Sequence, residues 1–158
     1  MFLLSIFLPL SSFLFCITLN KRLKDEYICI SSSFILIFSS ICAFLSFLNL
    51  ETNQDQAIVL SSWINSGSFS VDLSVQYNLL SSSMVLMVNF VSTLIHIYSV
   101  GYMVKDDRKV IFMGYLGLFT FFMLFLVSSS NLLQLFLGWE DVGLTSYLLI
   151  GFWYKKNQ

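Results

Sequence analysis

Long apolar stretches alternate with short polar ones along the chain, and the apolar stretches have the length of helices that cross a bilayer. A hydrocarbon core about 30 Å thick needs about 20 helical residues, each rising about 1.5 Å. Five stretches meet that need: residues 2–19, 27–50, 79–104, 110–127 and 132–154. Only the last contains charges. Polar connections run from Lys21 to Glu26, from Glu51 to Asp72 and from Lys105 to Lys109, and the fourth is the Ser128-Ser129-Ser130-Asn131 turn. Within the outer loop 51–72, two short runs rich in strand-favouring residues flank Asn65-Ser66-Gly67-Ser68, a pattern that reads as a small surface hairpin. A loop that binds a partner fits the same residues. The pattern therefore predicts an all-α membrane protein, one domain over residues 1–158, with five spans.

Composition supports lipid as the solvent. The chain is 57% hydrophobic and 11% charged, with a mean hydropathy of +0.82, where soluble domains carry about 25% charge. A net charge of −1 gives no electrostatic footprint for nucleic acid. No Gly-rich phosphate loop, paired metal ligands or Ser/His/Asp set is present, so the soluble enzyme classes drop out. The eight cations all follow the first, third or fifth span: Lys21, Arg22 and Lys24, then Lys105, Arg108 and Lys109, then Lys155 and Lys156. Short loops on the cytoplasmic or matrix side concentrate such charge, which predicts an amino terminus outside and a carboxyl terminus inside. The first span lacks a basic leading region and reads as a retained helix rather than a signal peptide. Cys16, Cys29 and Cys42 lie in apolar surroundings without metal spacing and read as small buried hydrophobes. Abundant Phe, Ser and Ile beside scarce Ala, Pro and Arg suggest an AT-rich gene of the organellar kind.

Two spans carry chemistry. In the third, Ser82, Asn89, Ser92, Thr93, His96 and Ser99 recur at helical spacing and share one face, which should meet protein or water. Hydrogen-bonding glue between helices is one reading of that stripe. The other makes His96, the single histidine, a proton relay. In the fifth, Glu140 and Asp141 sit near the middle of an apolar run, where a central acid costs about 2.5 to 3.5 kcal/mol on insertion scales. Adjacent helical residues point about 100° apart. Glu140 therefore shares a face with Leu133, Phe136, Gly143 and Tyr147, and Asp141 shares one with Gln134, Gly138 and Thr145. Neighbouring charges can tune such carboxyls into proton carriers; a static ion pair or hydrogen-bond anchor is the structural alternative. Gly138 and Gly143 would admit a close second helix. No cation lies within a span, so a counter-charge for Glu140 must come from elsewhere.

The stretch from Tyr115 to Trp153, containing Gly138-Trp139-Glu140, resembles the antiporter-like, proton-pumping subunit 5 family of respiratory complex I, the NADH:ubiquinone oxidoreductase. Val91 to Met103 resembles the same family just upstream, and the likeness runs from about Val71 to Trp153. The first two spans match in hydropathy and placement only. The resemblance implies an all-helical subunit of the membrane arm, whose glutamate in the fifth helix pairs with a lysine on a later broken helix. Here that glutamate is Glu140, with Gly138 and Trp139 as motif neighbours and His96 as the third-helix histidine. It implies a mitochondrial inner-membrane protein with positive loops on the matrix side, membrane lipids and other arm subunits as partners, and no cofactor on this chain. FMN, iron–sulfur clusters and ubiquinone would sit elsewhere in the complex. Two departures stand out: Asp141 replaces a glycine or apolar residue, and the family continues well past a dozen helices. The expectation is a split subunit, with a second chain supplying the remaining helices. Alternatives are a purely structural arm fragment and the large subunit of a multi-subunit sodium/proton antiporter.

Overall fold

The computed structural model describes residues 1–20, 23–50, 56–67, 69–106 and 108–152. Lys21, Arg22, Glu51, Asp55, Ser68, Trp153, Tyr154, Lys155 and Lys156, on which parts of the topology and turn readings rest, lie outside the described residues. Helices α1 (Phe2–Leu19) and α2 (Asp25–Leu48) lead into strands β1 (Gln56–Ser66) and β2 (Phe69–Tyr77). Helices α3 (Leu79–Tyr102), α4 (Lys109–Val127) and α5 (Leu132–Ile150) complete the chain. The first four helices are long and apolar enough to cross a membrane. The fifth has 19 residues, about 28 Å at the helical rise, but Gln134, Glu140 and Asp141 keep it out of that apolar class.

Helix α1 packs on α2 and α4, α3 packs on the same two, and α5 packs chiefly on α4. Hydroxyls and small residues let these helices approach. A Cβ on Gly117 would stand 3.2 Å from the Pro9 carbonyl oxygen, and one on Gly138 would stand 3.0 Å from the Leu126 Cα. Pro9 lies inside α1 and has no N–H to give to the Ser5 carbonyl one turn earlier. Two side chains from other helices replace it: Ser39 Oγ donates to Ser5 O at 2.8 Å, and Asn89 Nδ2 donates at 3.4 Å. The single Ser39 hydroxyl proton is shared with Asn89 Oδ1, 2.7 Å from Oγ. One proline thus explains a polar knot shared by α1, α2 and α3.

The hairpin forms where its residues predicted, closing at Ser66↔Phe69 around Gly67 at φ 59°, a left-handed geometry that favours glycine. It extends beyond the expected loop end at Asp72, because β2 continues to Tyr77 before Asn78 caps α3. Strand β2 is tied to the α4–α5 turn: Gln76 N donates to Ser128 O at 2.8 Å and Asn131 Nδ2 donates to Asp72 O at 2.8 Å. Tyr77 reaches α2, donating its hydroxyl to Ser46 O at 2.7 Å, and burial pushes its phenol above the ordinary range. The hairpin therefore covers the end of the bundle opposite Lys24, Lys105, Arg108 and Lys109. At that cationic end Arg108 Nη2 donates to Phe152 O at 3.1 Å, fixing the close of α5 against the start of α4.

Candidate functional site

Helix α5 is divided lengthwise. Gln134, Gly138 and Thr145 are its buried residues, all on the Asp141 side. Asn131 caps the helix by accepting from Gln134 N. Gln134 Oε1 accepts from Ser74 N at 3.1 Å, while its Nε2 is buried without a partner among the described residues. Thr145 Oγ1 donates back to Asp141 O at 3.0 Å. Asp141 is half-buried at the margin of this packed face.

The Glu140 side is open. Glu140, Leu133, Phe136, Gly143 and Tyr147 are all exposed, and Trp139 is edge-on to Phe136 at 6.5 Å. Trp139, Glu140, Asp141, Gly143, Leu144 and Tyr147 line a shallow outward-facing depression. A Cβ on Gly143 would meet nothing within 4 Å, so its lack of a side chain serves no contact among the described residues. The two glycines thus differ: Gly138 is where α4 approaches, and Gly143 lies on the uncovered surface. Glu140 is the ninth of 19 residues in α5, and a carboxylate at that depth facing lipid is costly.

The third-helix stripe faces inward throughout, with Ser82, Asn89, Ser92, Thr93, His96 and Ser99 all buried. Thr93 Oγ1 donates to Leu36 O at 3.1 Å, and Ser92 Oγ is bonded to Thr120 Oγ1. These bonds tie α3 to α2 and α4. His96 lies among α2, α3 and α4, so the structure does not bring it together with Glu140 and Asp141. The cysteines are free and buried, as small hydrophobes would be.

Both chemistry-bearing regions have relatives. Residues 63–113, which include His96, match the family described as NADH-Ubiquinone oxidoreductase (complex I), chain 5 N-terminus. Residues 129–158, which include both acids, match the family described as NADH:quinone oxidoreductase/Mrp antiporter, TM. This chain is a homologue of complex I chain 5. It is 43% identical over 157 residues to NADH-ubiquinone oxidoreductase chain 5 of Chondrus crispus, covering 99% of this chain and 24% of the relative. Against NADH-quinone oxidoreductase subunit L of Rickettsia bellii it is 44% identical over 153 residues, 96% of this chain and 24% of the relative. The wheat (Triticum aestivum) chain 5 is 40% identical over 159 residues, 100% of this chain and 24% of the relative. The likeness to chain 5 thus reaches back through the first two helices, further than the motifs alone carried it. The chain spans about a quarter of the length of these curated relatives.

Sequence patterning separated the two faces of α5 correctly but missed the orphaned Gln134 amide. It also left Glu26 and Lys109 as plain loop charges, although both line a cleft into the bundle. The available signal was their position at the first turns of α2 and α4, directly beside the polar face of α3.

Proposed function

We propose that this chain forms the first five helices of an antiporter-like subunit in the membrane arm of complex I, in the mitochondrial inner membrane. Its contribution is Glu140, a carboxyl that exchanges protons during translocation driven by NADH oxidation. The observation that carries this reading is the outward-facing Glu140 on a helix whose other face is packed. An acid held in that position at membrane depth calls for further helices that bring a counter-charge, because none of the spans supplies one. Those helices cover the depression around Gly143 and belong to the rest of the subunit. The redox groups, FMN, iron–sulfur clusters and quinone, belong to other subunits in this reading. Asp141 lies at the margin of the packed face, and its place in the proton path is secondary to that of Glu140.

Native mass spectrometry of the assembly after mild detergent extraction tests the reading. Co-migration of the 18.1 kDa chain with flavin-bearing and iron–sulfur subunits supports it. Migration with ion-antiporter subunits alone contradicts it and favours the antiporter alternative, to which the second matched family also extends.

A further inference from the structure

A second polar system lies away from the α5 acids, in the interior shared by α2, α3 and α4. His96 is at its centre, with 0% exposure and its Nδ1 3.0 Å from Ser92 O. A carbonyl oxygen only accepts, so Nδ1 carries a proton in this contact and Nε2 of the neutral ring is a bare lone pair. The Met113 backbone on α4 lies beside the ring, and Nε2 is buried with no hydrogen-bond partner among the described residues. A neutral imidazole has one N–H for two backbone acceptors. A proton on Nε2, or a water beside it, resolves the mismatch.

Met113 also borders a cleft at the cationic end of the bundle, lined by Glu26, Cys29, Ser99, Met103 and Lys109. The cleft holds about 170 Å³, room for several waters at about 30 Å³ each. Ser99 lies three residues beyond His96 on the same face of α3, so this mostly apolar cleft, with Glu26, Ser99 and Lys109 as its polar members, ends within one turn of the ring. Inward from His96 the line continues only as hydroxyls and amides: Ser92 with Thr120, then Thr93 and Asn89. The titratable groups from the surrounding helices are Glu26 and Cys29 on α2, Lys109 on α4, and Cys16 on α1, which lies in the apolar cluster with Cys29 and Met113.

We propose that His96 is a proton-exchange station in the α2–α3–α4 interior, reached by water through the Glu26–Lys109 cleft and separate from the Glu140 face. A hydronium in the cleft gives its proton to Nε2 and becomes water, leaving an imidazolium beside the Met113 backbone. The reverse transfer returns the proton to the same cleft. The station therefore equilibrates with the face that bears the cations.

Deuterium exchange at the His96 C2–H, read by mass spectrometry on the chain in its native membrane, tests this directly, because the chain has one histidine. Exchange with a sigmoidal dependence on pH is expected in the wild type. Ser99→Leu, which fills the cleft, and Val104→Trp, at its exposed rim, are each expected to abolish that exchange. Glu140→Gln is expected to leave it unchanged. The proposal is overturned if the wild type shows no exchange while exposed histidines of other proteins in the membrane exchange fully. Exchange that persists in both cleft variants, or that is lost with Glu140→Gln, overturns it equally.

Discussion

The Ser5 carbonyl shows how one residue's backbone defect organises three helices. Pro9 leaves that oxygen without its helical donor, and Ser39 and Asn89 supply replacements from 34 and 84 positions away. Asn89→Ala is expected to lower stability by about 0.6 to 1.7 kcal/mol, the range of interhelical hydrogen bonds in membranes. In a Pro9→Ala background, where the helical donor is restored, the same substitution should cost less; a double-mutant cycle read by denaturant unfolding measures the coupling. Additive effects would contradict the replacement account. The two α5 glycines make a second contrast. Gly138→Ala pushes a methyl against the Leu126 backbone and should destabilise by about 1 to 3 kcal/mol. Gly143→Ala meets open space within the chain and should raise its stability by up to about 1 kcal/mol through helix propensity. Helical spacing made the inward stripe of α3 legible, since Ser82 through Ser99 share one face. The knot at Ser5 was not legible, because its partners come from distant segments and a proline reports only that a bond is missing.

Among the elements, the hairpin is held at one end of the bundle by specific bonds. Tyr77→Phe removes the donor to Ser46 O, and Gln134→Leu removes the acceptor for Ser74 N. Each should cost about 0.5 to 1.5 kcal/mol. The loss should appear as faster amide exchange in β2 while α1 to α4 keep their protection; uniform loss across the helices would contradict a local tie. The hairpin and its turn were legible because strand-favouring runs flank a glycine-bearing turn. Its far end was harder to place. Leu73, Ser74, Val75, Gln76 and Tyr77 alternate with period two, yet they run directly into the apolar start of α3, and only the Asn78 cap separates the two periodicities. Five helices were likewise legible from length and apolarity. The fifth differs in hydropathy because the residues that reduce it are the ones that carry its chemistry.

At the scale of the whole molecule, α1 to α4 form a mutually packed group and α5 stands on its flank with Glu140 turned outward. That asymmetry follows from the sequence of α5: small and polar residues on one side meet α4, while Glu140 and large apolar residues occupy the other. Sequence spacing separated these two faces; which one α4 would take depended on the close approach at Gly138, a contact set by the partner helix. The chain is one quarter as long as its chain 5 relatives, and in the proposed function the open face is covered by the remaining helices of that subunit. The most direct test of this account is the number of protons moved per electron in coupled membranes carrying Glu140→Gln, with the amount of assembled complex measured alongside. A lowered ratio in a fully assembled complex that still reduces quinone is the predicted result. An unchanged ratio in that same intact complex would contradict a proton-carrying role for Glu140 and leave the chain a structural part of the arm.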